Sequence, residues 1–241
     1  MIHMRYAVYY APPPEHPLWQ AGCDWLGRDP AATAGPRPAA GRPRRPDVVE
    51  PWRYGFHATL KPPMRLRPGH KERDFMDAVQ RLARRTACFM LPRLTITTLG
   101  DFVALRTTWP LSPSHPLRYL ADACVSELDP FRAPPTLVEL AKRLAQPLDG
   151  EQRALLARWG YPHVFHRWRF HLTLSDSLTL ARRRALLSAA RAHFSTALHQ
   201  PAPAQDLSVY VEPAPGEPFV LAERFALQGA GRALAASPAG L

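Results

Sequence analysis

Two five-residue stretches decide how this chain of 241 residues folds: FHATL at residues 56–60 and FHLTL at residues 170–174. They agree at four of their five positions. Each follows a cluster of Trp and Arg, Trp52-Arg53 before the first and Arg167-Trp168-Arg169 before the second. A single His-x-Thr carries no signal, whereas two copies in matching surroundings predict an internal duplication.

The alternation of side chains along a β-strand gives both stretches a physical meaning. Successive side chains project to opposite faces, so His57 and Thr59 share one face and the apolar residues of FHATL share the other. His171 and Thr173 are related in the same way. Each strand is therefore expected to bury an apolar face under a helix and to present one imidazole and one hydroxyl opposite.

The segments around the two stretches predict the fold class. Each stretch is followed by a helical pattern, at about 72–86 and 179–198, and then by two strand patterns. Gly100-Asp101 between the first two strands is a hairpin signal. This repeated order predicts an α+β, bilobal fold. In it, two antiparallel sheets flank a central cleft, helices cover the outer faces, and a pseudo-twofold axis relates the halves.

The predicted domain organisation is a single bilobal domain at residues 1–227. Its predicted parts are lobe one at about 48–112 and lobe two at about 160–227, with an N-terminal strand at 5–10 completing a sheet. The Pro/Arg-rich stretch 28–46 has almost nothing to bury and is predicted to be a flexible loop. The Ala/Gly-rich tail 228–241 is predicted to be disordered.

The charge balance favours anionic partners. The formal net charge is +11, from 31 Lys and Arg against 20 Asp and Glu, and such an excess attracts nucleic acid, phosphorylated small molecules or acidic membranes. The arginines are scattered through the loop, the helices and the tail, and no basic stripe interleaved with aromatic residues is present. Charge therefore gives only mild support for an anionic substrate.

Cysteine usage and hydropathy predict a location. The three cysteines are an odd number and widely spaced, a pattern typical of neither a disulfide framework nor a zinc site. No apolar run is long enough to cross a membrane, and the N-terminus lacks the pattern of a signal peptide. These features predict a cytoplasmic protein without a membrane partner, and they leave its oligomeric state open.

Two imidazoles and two hydroxyls in one cleft suit the chemistry of phosphate esters. A neutral imidazole can remove a proton from the attacking water, and a protonated one can give a proton to the leaving oxygen. Threonine hydroxyls can donate hydrogen bonds to the non-bridging oxygens. The predicted catalytic residues are therefore His57, Thr59, His171 and Thr173. No metal and no other cofactor is expected, and the near symmetry of the stretches leaves open which histidine is the base and which the acid.

Residues beside the motifs are predicted to bind the substrate. Lys61 shares the predicted face of His57 and Thr59, and Arg169 shares that of His171 and Thr173, so both cations are candidates for holding a phosphate. Tyr54 lies beside the first motif, and Tyr210 lies on a late strand where it could stack on a base or sugar. Each of these four residues also has an ordinary alternative, a solvated strand-end charge for the cations and a core aromatic for the tyrosines.

The pair FHATL and FHLTL resembles the two H-x-T motifs of the 2H phosphoesterase superfamily, which includes RNA 2′,3′-cyclic phosphodiesterases and tRNA-ligating enzymes. The longer string YGFHATLKPP at 54–63 is similar to a bacterial branch of that superfamily, DUF1045, often labelled as phosphonate metabolism proteins. The resemblance extends from Tyr6 to about Leu227. It implies a 2H-phosphoesterase-like bilobal fold, with the two His and two Thr as the catalytic four.

Three functional hypotheses follow. The first is a metal-independent phosphoric diester hydrolase that acts on a cyclic phosphodiester of a small phosphorylated molecule, such as a ribose cyclic phosphate arising in phosphonate breakdown. The second is an RNA 2′,3′-cyclic phosphodiesterase or RNA-end-processing enzyme, which the scattered arginines do not favour. The third is a phosphate-ligand sensor without turnover, which no residue favours because all four motif residues are present.

Overall fold

The computed structural model describes residues 4–32 and 45–230. Its strands are β1 Arg5–Tyr10, β2 Ala58–Met64, β3 Phe89–Met90, β4 Leu94–Leu99, β5 Phe102–Thr107, β6 Leu172–Thr173, β7 Pro203–Ala204, β8 Asp206–Glu212 and β9 Val220–Ala226. Its helices are α1 Pro17–Leu26, α2 Val49–Tyr54, α3 Glu72–Arg85, α4 Pro116–Glu127, α5 Leu137–Leu144, α6 Gly150–Trp159 and α7 Leu180–Phe194. None of these helices is long and apolar enough to span a bilayer.

The predicted amphipathic helix after the first motif is confirmed as α3. It buries Phe75, Val79, Leu82 and Ala83, which recur at helical spacing. Asp74 accepts a hydrogen bond from the backbone N–H of Lys71 and so fixes the helix start. Because α3 lies against β8 and β9, its apolar stripe covers the outer face of the larger sheet.

All strands pair antiparallel. The larger sheet has four strands in the order β2-β1-β8-β9, the smaller has three in the order β4-β5-β6, and β3 and β7 form a separate pair. Helix α4 also lies against β2, while α7 packs on β4 and β5. The prediction of an α+β fold with antiparallel sheets and helices on their faces is thereby confirmed.

Strand pairing crosses the boundary between the two halves of the sequence. The strand that follows His57 pairs with β1, and β1 pairs with β8 near the C-terminal end. The strand that follows His171 pairs instead with β5. Neither sheet therefore corresponds to a lobe at 48–112 or at 160–227. Each motif strand completes a sheet whose remaining strands lie largely in the other half, and the predicted sequential lobes are corrected accordingly.

The first motif strand runs beyond its five-residue motif. β2 continues through the pair Pro62-Pro63 to Met64, although proline usually interrupts a strand. Proline cannot donate a ladder hydrogen bond and is tolerated on edge strands. β2 is an edge strand, and its register against β1 shifts between the pairs Tyr6–Met64 and Val8–Lys61. The two prolines therefore lie at a bulge of an edge strand, where missing donors are tolerated.

The predicted loop and tail lie partly outside the described residues. Within the described part of the loop, Arg28 donates from Nη1 to the carbonyl of Trp52 at 2.8 Å, and Leu221 N donates to the carbonyl of Pro30 at 2.9 Å. At the start of the predicted tail, Gly229 N donates to the carbonyl of Thr86 at 2.9 Å. The described ends of both segments are therefore hydrogen-bonded to the domain, and the predictions of flexibility and disorder concern mainly residues outside the described ranges.

Candidate functional site

The two motifs alternate between core and cleft as expected. Phe56, Ala58 and Leu60 are at most 1% exposed, whereas His57 and Thr59 are half-buried. In the second motif the apolar residues are also buried, and its histidine and threonine are half-buried. The apolar members anchor each motif in the core, and the polar members are left at accessible positions.

Each motif histidine is held in the same way by its own backbone. Nδ1 of His57 lies 2.9 Å from the carbonyl oxygen of Gly55, and Nδ1 of His171 lies 2.7 Å from that of Arg169. A carbonyl only accepts, so Nδ1 must carry the proton and donate. In the neutral ring, Nε2 then presents a lone pair. Both histidines are thus locked in the tautomer that a general base requires.

Thr59 already contacts its histidine. Its hydroxyl oxygen lies 3.2 Å from Nε2 of His57. Because Nδ1 of this ring is a donor, Nε2 of the neutral ring accepts and the hydroxyl donates. A hydroxyl can rotate, so the same group can turn its hydrogen toward an anion that enters the cleft.

A direct hydrogen bond connects the two motifs. Nε1 of Trp168, three residues before His171, donates to the carbonyl of Thr59 at 2.8 Å. Strands β2 and β6 also come within 8 Å of each other between Cα atoms. The tryptophan of the Trp/Arg cluster therefore fixes the distance between the motif strands, a positioning role that the sequence did not reveal.

The helix before the first motif is held by the loop after the second. The carboxylate of Asp176 accepts from the backbone N–H of Val49 at 2.9 Å and of Glu50 at 2.8 Å, at the start of α2. A carboxylate here satisfies donors that the helix leaves free and complements the helix dipole. The Trp168 hydrogen bond joins the segment before the second motif to the first motif, and the Asp176 cap joins the loop after the second motif to the helix before the first. Together they set the two motifs relative to each other.

Tyr9 supports His57 and was missed by the sequence reasoning. Its ring is fully buried and stacks on the imidazole with centroids 3.7 Å apart and planes 23° apart. Tyr9 lies on β1 directly opposite Thr59, so it faces the same side as the motif's polar residues. The sequence shows only an aromatic strand, RYAVYY at 5–10, and gives no sign of this register.

The environment of the histidines favours their neutral form. Burial lowers the pKa of His57 to about 4, although the hydrogen bond to Gly55 opposes the shift and the nearby His171 adds to it. Burial also lowers the pKa of His171, and the charges of Arg106 and His163 lower it further. Both rings are therefore neutral in the free protein at neutral pH. An anion between them would reverse these shifts by stabilising an imidazolium.

Lys61 does not lie in the cleft, which corrects one predicted substrate-binding residue. It is 1% exposed, and its Nζ donates to the carbonyl of Val125 at 2.7 Å and to Asp129 at 3.2 Å. The pairing of β2 with β1 is irregular here: Tyr9 faces Thr59, whereas Val8 faces Lys61. The extra residue of this bulge shifts the alternation, so Lys61 turns to the core beside α4. Burial lowers its pKa to about 8.

The two tyrosines predicted to bind the substrate lie in different environments. Tyr210 is fully buried, with its ring 5.0 Å from that of Tyr9 and 6.2 Å from His57. It packs behind the site and cannot stack on a ligand, so its predicted role is wrong. Tyr54 is half-buried, and its ring lies 6.3 Å from His57 and 5.0 Å from Phe219. Its position beside His57 keeps it a candidate.

The backbone and the side chain of Arg169 have different roles. Its backbone carbonyl orients His171, as described above. Its side chain is exposed, and among residues 4–32 and 45–230 its guanidinium makes no hydrogen bond or ion pair. The position two residues before His171 leaves the side chain a candidate for contacting a ligand.

A side chain at Gly55 is expected to distort the backbone beside His57. Its φ of 80° and ψ of 175° suit glycine almost alone, and a Cβ there would lie 2.9 Å from Cγ of Pro30. We expect Gly55→Ala to cost about 1–3 kcal/mol of stability and to move the carbonyl that orients His57. Chemical denaturation with an NMR spectrum of the His57 ring checks both effects. Gly69→Ala is the matched control, because Gly69 also has a positive φ but an open surrounding. A normal His57 tautomer in Gly55→Ala would contradict the prediction.

Two curated relatives match most of this chain. Both are named ribose 1,5-bisphosphate phosphokinase PhnN. The protein from Janthinobacterium sp. (strain Marseille) is 37% identical over 237 residues, covering 94% of this chain and 51% of that protein. The one from Laribacter hongkongensis (strain HLHK9) is 41% identical over 224 residues, covering 90% and 50%. The chain thus spans about half the length of the curated relatives it matches.

Solved structures with a similar fold are more distant in sequence. E. coli LigT in its apo form gives a TM-score of 0.45 at 15% identity, covering 94% of this chain and 98% of LigT. TT0787 of Thermus thermophilus gives 0.45 at 17% identity, covering 94% of this chain and all of that one. At these scores the likeness carries no conclusion about the site.

A family model matches the part of the chain from the end of the first motif through the whole of the second. Its description is "Protein of unknown function (DUF1045)", and it covers residues 59–220, from Thr59 of the first motif through the whole of the second. This range is more than half of the 241 residues. The chain belongs to the DUF1045 family.

Proposed function

We propose that this protein is a phosphoesterase that hydrolyses a cyclic phosphodiester of a small phosphorylated molecule, with His57, Thr59, His171 and Thr173 as its catalytic residues. The observation that carries this proposal is the matched setting of the two histidines. Each donates from Nδ1 to the carbonyl two residues before it, so each has Nε2 available for proton transfer. Two imidazoles of this kind, each just before one of two neighbouring strands, are suited to act as an acid–base pair.

The proposed reaction uses each motif once. One neutral imidazole takes a proton from water as the water oxygen bonds to phosphorus. The P–O bond to the ring oxygen breaks, and the other imidazole, protonated in the complex, gives its proton to that oxygen. The threonine hydroxyls donate to the non-bridging oxygens as charge develops there. The product is a phosphomonoester, and proton exchange with solvent restores the starting pair. No metal ion takes part in these steps.

The proposed substrate class is a phosphorylated ribose that carries a cyclic phosphate, in line with a role in phosphonate metabolism. The two curated relatives are named for ribose 1,5-bisphosphate, and this chain covers about half of each. Since this chain corresponds to one part of such a protein, we propose that it acts on a related sugar phosphate. The cytoplasm, where such metabolites occur, is the proposed location. Tyr54 and Arg169 are proposed to contact the sugar or its phosphates.

A substrate panel tests the proposal. Purified protein is incubated in EDTA with ribose cyclic phosphates, with and without a further phosphate, with 2′,3′-cyclic nucleotides and with RNA ending in a 2′,3′-cyclic phosphate. We expect turnover of the ribose cyclic phosphates, followed by ³¹P NMR, and none of the RNA. Preferential hydrolysis of the RNA would establish the alternative, an RNA-end-processing enzyme, and the absence of any turnover would reject the phosphoesterase proposal.

Anion binding should depend on pH in a defined direction. Both rings are neutral in the free protein because burial lowers their pKa values, to about 4 for His57. A bound anion raises these values, so binding takes up protons and tightens as pH falls toward the free-state pKa. For sulfate, whose charge is constant over this range, we expect affinity to rise by up to about tenfold per pH unit for each proton taken up.

Calorimetry in buffers of different ionisation enthalpy measures this proton uptake directly. The double variant His57→Gln/His171→Gln is the control, because it cannot take up these protons and should bind sulfate with little dependence on pH. Sulfate affinity that is independent of pH in the unmodified protein would contradict the prediction.

A further inference from the structure

Arg106 shares the sheet face that carries the second motif. On β5, Ala104 lies directly opposite Thr173 of β6. Arg106 is two residues further along β5, so it projects to the same side as Thr173. Phe102, two residues in the other direction, has its ring 5.8 Å from the imidazole of His171. This contact indicates that the face of β5 containing Arg106 is the one that His171 occupies.

Arg106 is half-buried, and within residues 4–32 and 45–230 its guanidinium has no hydrogen-bond or ion-pair partner. Its Nε is shielded from solvent without a hydrogen bond, and in the described part of the chain the whole group makes no ion pair. Two other partly buried arginines do have carboxylate partners: Arg5 pairs with Glu212, and Arg224 pairs with Asp206. Burying an unpaired charge is costly, so the position of Arg106 suits a site whose anion arrives with the ligand.

We propose that Arg106 binds the non-bridging oxygens of the substrate phosphate beside His171 and Thr173, and that this site therefore recognises an anionic phosphate through a fixed guanidinium as well as through the threonine hydroxyls. The proposal rests on the proposed function. A guanidinium is suited to this role because its planar donors can hold two oxygens of one phosphate at once.

The same arrangement makes His171 sensitive to the ligand. The positive charge of Arg106 lowers the pKa of His171 in the free protein, in addition to the effect of burial, and His163 acts in the same direction. A phosphate held by Arg106 neutralises that charge. His171 can then take up a proton, so the anion that is to be cleaved also prepares the imidazole for proton donation.

The test compares three variants with the unmodified protein. Arg106→Gln removes the charge and the fork of donors, and Arg106→Lys keeps the charge but loses the fork. Arg93→Gln removes an exposed charge just before β4 and is the matched control. Binding of inorganic phosphate is measured by calorimetry, and the pKa of His171 is measured by NMR titration of its ring. Thermal unfolding verifies that each variant is folded.

We expect Arg106→Gln to weaken phosphate binding by roughly 10- to 100-fold, the loss typical of a hydrogen bond to a charged group, and to raise the pKa of His171. Arg106→Lys should weaken phosphate binding less and leave that pKa low. Arg93→Gln should change neither quantity. Phosphate affinity in Arg106→Gln equal to that of Arg93→Gln would overturn the proposal.

Turnover separates this inference from the proposed function. If the unmodified protein hydrolyses no cyclic phosphate but Arg106→Gln still loses phosphate affinity, the anion site stands and the proposed reaction fails. If the unmodified protein is active and Arg106→Gln keeps both its kcat/KM and its phosphate affinity, the reaction stands and Arg106 has no part in it.

Discussion

Replacement of His57 or His171 by alanine is expected to lower kcat for cyclic phosphodiester hydrolysis by roughly 10²–10⁴-fold each, the range found when a general acid or base is removed. The physical reason is that each ring presents Nε2 for proton transfer while Nδ1 is held by a backbone carbonyl. Stopped assays on the best substrate of the panel measure the loss. KM should change less than kcat, because the imidazoles act mainly on protons in the transition state.

The double variant gives a sharper result than either single one. If the two histidines act as a unit, His57→Ala/His171→Ala should be scarcely slower than the worse single variant, because once one proton transfer fails the other has little left to assist. His70→Ala is the control, since His70 is exposed and packs on Phe131 away from both motifs. Full activity in either single variant would reject the assignment.

Asp129→Asn is expected to destabilise the protein by about 3–5 kcal/mol, the usual cost of leaving one member of a buried ion pair alone. The stranded member is Lys61, whose side chain is 1% exposed and whose Nζ lies 3.2 Å from Asp129. Arg132 also pairs with Asp129, at 2.7 Å, but it can be solvated more readily because it is more exposed. Urea denaturation measures the loss.

The loss in Asp129→Asn should shrink as pH rises. Burial already lowers the pKa of Lys61 to about 8, and removal of the carboxylate lowers it further. Between that lowered value and about 8, the folded variant lacks a proton that the folded unmodified protein and both unfolded chains still bind, so the variant gains stability relative to the unmodified protein as pH rises over that interval. The direction is opposite to that of a cation stabilised by folding.

Lys61→Met provides the matched comparison. The replacement fills the same buried space without a charge, so in the Asp129→Asn background it should recover most of the lost stability. It should also leave phosphate binding and turnover unchanged, because the bulge in β2 turns Lys61 away from the cleft. A large fall in phosphate affinity in Lys61→Met would return this residue to the site.

The sequence determined the two motifs and the chemistry that they support. Period-two alternation follows from strand geometry alone, and the burial of Phe56, Ala58 and Leu60 beside half-buried His57 and Thr59 agrees with it. Helix α3 could equally be predicted from the sequence, because its apolar residues recur at helical spacing. These features depend on neighbours in the chain, and local geometry leaves them few alternatives.

Only the tertiary structure decided which residues meet. The partners of the motif strands come from opposite ends of the chain, which no local pattern encodes, and the sheets therefore differ from the predicted lobes. One extra residue in β2 moved Lys61 from the cleft to the core. Register likewise placed Tyr9 under His57 and Arg106 beside His171. Strand order and register are set by the packing of the whole core, so a short stretch of sequence can specify a catalytic pair while the residues that surround it depend on contacts between distant segments.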